Sequence, residues 1–272
     1  MGEGSHSTDP GRIPDIDVSV THSARFWNYL LGGKDNYQVD RDAAEQILVP
    51  IPSLRDTVRA ERGFLIRAVR HLVTEAGIRQ FLDIGTGLPT ANNTHEVAQA
   101  TVPQCRIVYV DNDPLVLAHA RALLTSTPQG ATDYLHADVR DPDLILEHAA
   151  QTLDFAQPMA LMLLGILNFV PDDGEAHAVV DRLLRALPAG SYLVLSHPTA
   201  EVDGEAMAEA MRQWNDSGAA PIVSRSREQL IRFFAGLELL EPGVVSCSRW
   251  RPENHISTPA EVFHFSGVGR KS

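Results

Sequence analysis

The sequence predicts an α/β fold, a parallel sheet with helices on both faces. Three observations carry that prediction. Between residues 80 and 200, short apolar runs alternate with stretches of helical periodicity, the pattern of strand–helix crossover units. Two Asp-Pro pairs, Asp113-Pro114 and Asp141-Pro142, each set a capping acid before a proline at the first helical position. The segment Phe81-Leu82-Asp83-Ile84-Gly85-Thr86-Gly87-Leu88-Pro89-Thr90 is an apolar run that stops at an acid and breaks into two glycines. A buried strand ends this way where backbone approaches a ligand.

The elements follow in order. Residues 1–20 are rich in Gly, Ser, Asp and Pro and predict a disordered or extended N-terminus. A helix starts near Ser23, carries Phe26, Trp27, Tyr29 and Leu30, and turns at Gly32-Gly33. From Ser53 a strong helix places Leu54, Val58, Leu65, Val69 and Leu72 on one face. Arg55, Arg59, Arg62, Arg67 and Arg70, salted with Asp56, Glu61 and Glu75, read as its solvated face, and Gly77 as its C-cap. Strands are expected at 80–85, 106–111, 133–137, 159–164 and 191–196, with helices at 92–101, 114–125, 141–150 and 172–187. Helices at 203–216 and 226–235 come next, then strands near 237–240, 244–248 and 262–267, which read as an antiparallel edge pair. The predicted organisation is an N-terminal tail (1–20), a helical lid (21–76) and a ligand-binding α/β domain (77–272) that forms one unit with the lid.

Composition narrows the function. The chain has 272 residues, 44% of them hydrophobic, and a net charge of -12. That supports a sizeable core and argues against nucleic-acid or anionic-membrane partners, both of which demand Lys and Arg. The longest apolar run, 158–170, is too short to span a bilayer. With no secretory pattern at the N-terminus, a cytoplasmic location is expected. Cys105 and Cys247 are far apart and sit in apolar surroundings, so they read as buried free thiols. No metal-ligand spacing occurs among the 11 histidines, and no metal is expected.

The chemistry gathers at strand ends. Thr90 stands where a dinucleotide fingerprint needs its third glycine, and no Gly-Lys-Ser/Thr follows for a P-loop. Asp111 closes the second strand, where a carboxylate accepts both hydroxyl protons of a ribose. Asp113 is sufficiently explained as a helix cap. Asp138 ends the third strand and is placed to take an exocyclic amine. Asp83, Asp111 and Asp138 thus stand at three successive strand ends.

These motifs resemble class I S-adenosylmethionine-dependent methyltransferases. A closer resemblance is to an actinobacterial family of uncharacterised S-adenosyl methyltransferases (DUF574-like). It is carried by Tyr29-Leu30-Leu31-Gly32-Gly33-Lys34-Asp35-Asn36, by 81–90, by Tyr109 to Pro114, and by Ser248-Arg249-Trp250-Arg251-Pro252. The resemblance spans about residues 22–270. It implies a Rossmann-like, seven-stranded, mostly parallel sheet with an antiparallel last strand, and S-adenosyl-L-methionine as cofactor. It further implies that Gly85, Thr86 and Gly87 pack beside the methionine and ribose, with Asp83 near the cofactor's amino group. Asp111 would hold the ribose, Asn112, Asp138 and Val139 the adenine, and Gly165 would face both cofactor and acceptor. Pro89 departs from the broader class, where many members carry a glycine.

No acid or histidine ends the fourth strand, so the catalytic candidates are Asn168, His197 and Tyr37. Asn168 orients but cannot act as a base, and His197 is the better base candidate. Tyr29 and Tyr37 are candidates to bond the cofactor's carboxylate, with Lys34 or Arg25 as counter-charge, or else to pack on the sheet. Phe26 and Trp27 read as packing residues, and His136 as a satisfied histidine. The expected function is methyl transfer to a small-molecule acceptor. The alternatives are an NAD(P)- or nucleotide-sugar-binding oxidoreductase and a non-catalytic cofactor-binding regulator. The oligomeric state stays open, a homodimer included.

Overall fold

Alternating side chains along five short strands bury both faces of one sheet in the computed structural model, which describes residues 17–123, 125–253 and 257–272. The parallel strands are β1 (Gln80–Ile84), β2 (Arg106–Asp111), β3 (Ala131–His136), β4 (Ala160–Leu164) and β5 (Tyr192–Pro198). Three short or late strands complete the sheet: β6 (Leu237–Leu239), β7 (Val245–Ser246) and β8 (His264–Lys271). The order is β3-β2-β1-β4-β5-β8-β6, with β7 also pairing β8. β8 runs antiparallel to β5, β6 and β7.

The last strands form the expected antiparallel pair at the sheet's edge. β8 lies inside the sheet, hydrogen-bonded on both sides, and β6 forms the edge. β8 also runs past the expected end at 267, through Gly269. Phe234 crosses there so closely that a Cβ on Gly269 would lie 2.7 Å from its Cδ1, which only glycine permits.

Helices cover both faces. α6 (Pro142–Ala149), α7 (Asp173–Ala186) and α9 (Arg227–Arg232) pack on the face that presents Leu82, Val108, Leu161 and Leu193. α3 (Leu54–Thr74), α4 (Thr94–Thr101) and α5 (Pro114–Leu123) cover the face of Phe81, Ile107, Met162 and Val194. A separate core joins α1 (Ser23–Leu30), α2 (Gln38–Ile47) and α8 (Gly204–Asp216) through Phe26, Leu30, Ala44, Met207 and Trp214.

That core draws on both ends of the described chain. The cap contains α8, from the far end of the chain, and α3 belongs to both cores. Leu54 and Val58 lie in the cap, whereas Phe64, Leu65, Val69 and Leu72 lie against the sheet. Residues 59–63 span the seam. α2 was not anticipated, although Val39, Ala43 and Ile47 have helical spacing and the Asp40 carboxylate accepts the Tyr37 amide at 2.9 Å. The tail expected to be disordered lies, through residue 16, outside the described residues, as does residue 124 within the expected helix 114–125.

Candidate functional site

A cleft opens at the carboxyl ends of β1, β2, β3 and β4, roofed by α1 and the seam of α3. It encloses about 260 Å³. A larger hollow of about 740 Å³ lies at the opposite ends of the strands, around Gln80, Arg106 and Gly190. Ligands of open α/β sheets bind beyond the carboxyl ends, so the first cleft is the candidate site.

The turn after β1 is built for close approach. Gly85 and Gly87 have φ of 80° and 68°, a region that side chains disfavour. A Cβ on Gly85 would lie 2.7 Å from Cβ of Ile166, so the turns after β1 and β4 touch. The Gly87 amide donates to Asp111 Oδ2 at 2.8 Å, and the Asp113 amide donates to Asp111 Oδ1 at 2.9 Å. Asp83 Oδ2 accepts the Thr94 hydroxyl at 2.6 Å. Both carboxylates share the α3 face of the sheet because Phe81 and Asp83, like Tyr109 and Asp111, alternate onto it.

The electrostatics favour a cation here. Burial pushes the Asp83 carboxyl up to about 6, against the Thr94 hydrogen bond and the Arg62 charge, with Asp111 adding to the rise. Burial also raises Asp111, opposed by the Asp113 and Gly87 amides. Two neighbouring carboxylates held above their ordinary range gain from a positive ligand and would repel phosphates.

The spatial order of the strands sets the site's sequence of groups. Asp138 follows β3, Asp111 ends β2, the glycine turn follows β1, and Gly165 follows β4. Beyond them, Ser196 on β5 and His264 on β8 meet Glu61 from α3. The Ser196 hydroxyl and His264 Nδ1 both bond Glu61 Oε1, the latter at 3.1 Å. Burial pushes the Glu61 carboxyl up. The charge and hydrogen bond of His264, the Ser196 hydroxyl and Arg62 outweigh it and hold the group below its ordinary value.

Asp83, Gly85, Thr86, Gly87, Asp111, Asn112, Asp138, Val139 and Gly165 all line this one cleft. Asp138 also pairs with Arg140 at 3.2 Å. Tyr29, Tyr37, Asn168 and His197 do not line it. The Tyr29 hydroxyl donates to Glu45 at 2.6 Å and its ring lies under Arg55, because the next position on α1 turns it away from the sheet. Tyr37 packs against Ala24, Leu88, Leu115 and Val116. Asn168 is buried in a 3-10 turn, its Oδ1 without a partner among the described residues.

His197 is the clearest correction. Strand alternation turns it to the face opposite Ser196. Its Nε2 accepts from Arg225 at 2.8 Å and its Nδ1 donates to the Pro198 carbonyl at 2.8 Å. Burial, then the neighbouring charges of Arg225 and His264, push it down to about 3. It is neutral, saturated with hydrogen bonds and out of reach of the cleft. Arg25 is likewise structural, donating to the carbonyls of Asp17 and Val20, and Lys34 is exposed.

The sequence reads Glu61 and Arg62 as part of a solvated face and Trp27 as a packing residue, and it marks neither His264 nor Ser196. A clue was present for one of them. Glu61 lies three residues after Val58 and four before Leu65, in the middle of the apolar stripe. Arg62 faces Asp83, while its guanidinium donates to the carbonyls of Ala91 and Asn92 at 3.0 Å. Arg67 caps the carbonyls of Trp250 and Cys247, so the expected solvated strip is only partly solvated. Asn28, just before the Tyr29–Asn36 motif, also lines the cleft, and its Oδ1 accepts from Asn36 Nδ2 and the Asp35 amide at 2.8 and 3.0 Å. That motif shapes the cleft's wall by folding back on α1.

Among the described residues no group of three or more His, Cys, Asp or Glu is placed to hold a metal ion, and no helix is long and apolar enough to cross a membrane. A family model described as S-adenosyl methyltransferase matches residues 10–272. A crystal structure of a DUF574 family protein from Streptomyces avermitilis is 43% identical, covers 96% of this chain and 100% of its own, and has a TM-score of 0.90. A candidate methyltransferase from Thermobifida fusca is 40% identical over 95% of this chain and 98% of its own, with a TM-score of 0.88. The plantazolicin methyltransferase BpumL is 8% identical, and its TM-score of 0.54 over 92% of this chain shows a shared fold. No curated protein matches the chain.

Proposed function

The chain belongs to the S-adenosyl methyltransferase family, and from that premise we propose that its cleft binds S-adenosylmethionine from β3 to β1 and presents the methyl at β4 to a small-molecule acceptor. The protein is a methyltransferase that depends on this cofactor; the residues and the acceptor class are the proposal. The single observation that carries it is the pair Asp83 and Asp111, two buried carboxyls held up by desolvation at the glycine turn. A ligand with a sulfonium and an ammonium relieves that strain, whereas a dinucleotide's phosphates would aggravate it. The oxidoreductase alternative therefore finds no support.

When bound, the cofactor supplies an electrophilic methyl on a positively charged sulfur. The chain's own residues orient it. Asp111, fixed by two backbone amides, offers its remaining lone pairs to the ribose diol. Asn112 and Val139 flank the adenine, and Asp138 accepts its exocyclic amine while sharing Arg140. Gly85, Thr86 and Gly87 let the methionine lie against the turn. Asp83 attracts its amino group, and Arg62 stands beside it as counter-charge for the carboxylate. The buried Thr90 hydroxyl, without a partner among the described residues, also lines the cleft. Alignment of acceptor and methyl then carries much of the rate.

Calorimetry with S-adenosylhomocysteine and, separately, NADH tests the reading. Saturable binding of the first alone is expected. Binding of NADH alone, or of neither, would sink it.

A further inference from the structure

The far end of the cleft holds a carboxylate that cofactor binding leaves unused. A Cβ placed on Gly165 would lie 3.2 Å from Glu61 Oε1, so Glu61 stands over the end of β4, one strand beyond the glycine turn. Adjacent strands lie about 4.8 Å apart, which sets this carboxylate next to where the methyl is presented and away from the ribose. Its orientation is over-determined. Oε1 is held by Ser196 and His264, which share a sheet face because Pro198 pairs with His264 and lies two residues from Ser196. Among the described residues Oε2 accepts no hydrogen bond, and it is Glu61 that lines the cleft.

The walls around it are aromatic. Trp27 meets the His264 ring edge-on, with centroids 5.3 Å apart. Phe169 and Trp214, 6.4 Å apart, line the same cleft. A carboxylate with a free oxygen among aromatic faces is a receptor for an organic ammonium group. Neutral alcohols gain little from it, and anions are repelled.

Resting on the donor-site reading above, we propose that the methyl acceptor is an amine on an aromatic or apolar body, and that Glu61 binds its nitrogen, held in place by Ser196 and His264. The bound ammonium first gives one proton to solvent, and the freed lone pair then forms the new C–N bond as the C–S bond breaks. The positive charge passes from sulfur to nitrogen, and the product leaves as an ammonium with its own protons. Glu61 lies beside the atom on which that charge develops, so its attraction grows toward the transition state. A hydroxyl acceptor brings no charge to Glu61 and is far less acidic than an ammonium, and a carboxylate held below its ordinary range is a poor base for removing its proton.

The test uses the full chain. Wild type and Glu61→Gln are first titrated with S-adenosylhomocysteine. The saturated proteins are then titrated with tryptamine and 2-phenylethylamine and with their neutral counterparts tryptophol and 2-phenylethanol. At least one amine is expected to bind wild type tenfold or more tightly than its alcohol. Glu61→Gln should erase that preference while keeping S-adenosylhomocysteine affinity within about twofold. Equal binding of amines and alcohols by wild type overturns the proposal and needs no variant, as does absence of amine binding or a preference that survives in Glu61→Gln. Failure of wild type to bind S-adenosylhomocysteine would instead overturn the donor-site reading.

Discussion

The Asp111 carboxylate accepts the Gly87 amide at 2.8 Å, and this bond locks the end of β2 to the turn after β1. One residue thereby shapes the turn and keeps lone pairs for a ligand.

Asp111→Ala should weaken S-adenosylhomocysteine binding roughly 10- to 150-fold, the loss of about 1.5–3 kcal/mol expected for hydrogen bonds to a charged group. Calorimetry on the folded variant measures it. Unchanged affinity would remove Asp111 from the ribose.

Asp83 gives a prediction in pH. Its folded value of about 6 stands above the ordinary aspartate value of 3.8, so the fold binds this proton more tightly than the unfolded chain does. The contribution is full below 3.8 and is lost as pH rises through about 6. Asp83→Asn should therefore gain about 1–3 kcal/mol of stability at neutral pH, while the gain shrinks toward pH 4. Urea denaturation at both pH values checks it, and an equal gain at both contradicts the assignment.

The same group links pH to donor binding. A cationic ligand favours ionised Asp83, so binding near pH 6 should release protons, and affinity should fall on acidification. Calorimetric enthalpies that shift between buffers of different ionisation heat at pH 6, but not in Asp83→Asn, are the expected outcome.

Gly85→Ala should destabilise the protein by about 1–3 kcal/mol, the usual cost of overpacking, with the strain of a left-handed backbone added. Its Cβ would fall on Ile166. A thermal melt indistinguishable from wild type would show that the two turns yield easily.

His197→Ala should lower stability by about 1–3 kcal/mol, because Arg225 loses a buried acceptor. S-adenosylhomocysteine affinity should stay within about twofold. A large loss of affinity at unchanged stability would return His197 to the site.

Legibility in the sequence follows the range of the interactions. The donor half was readable because each of its features is local: an apolar run that stops at Asp83, a glycine turn, and Asp111 and Asp138 at further strand ends. The last strands were harder. Whether β8 lies at the edge or between β5 and β6 depends on pairing with residues far along the chain, which its own composition does not encode.

By itself, then, the sequence determined the α/β architecture, the turn and the three strand-end acids, since period-2 alternation, proline-capped helices and left-handed glycines are properties of neighbouring residues. Only the tertiary structure decided the acceptor end. Glu61 meets Ser196 and His264 across separations of 135 and 203 residues, and His197 is lost to the opposite face by one step of alternation. Which side chains converge there depends on how α3 crosses the sheet between two cores, and that is settled by packing.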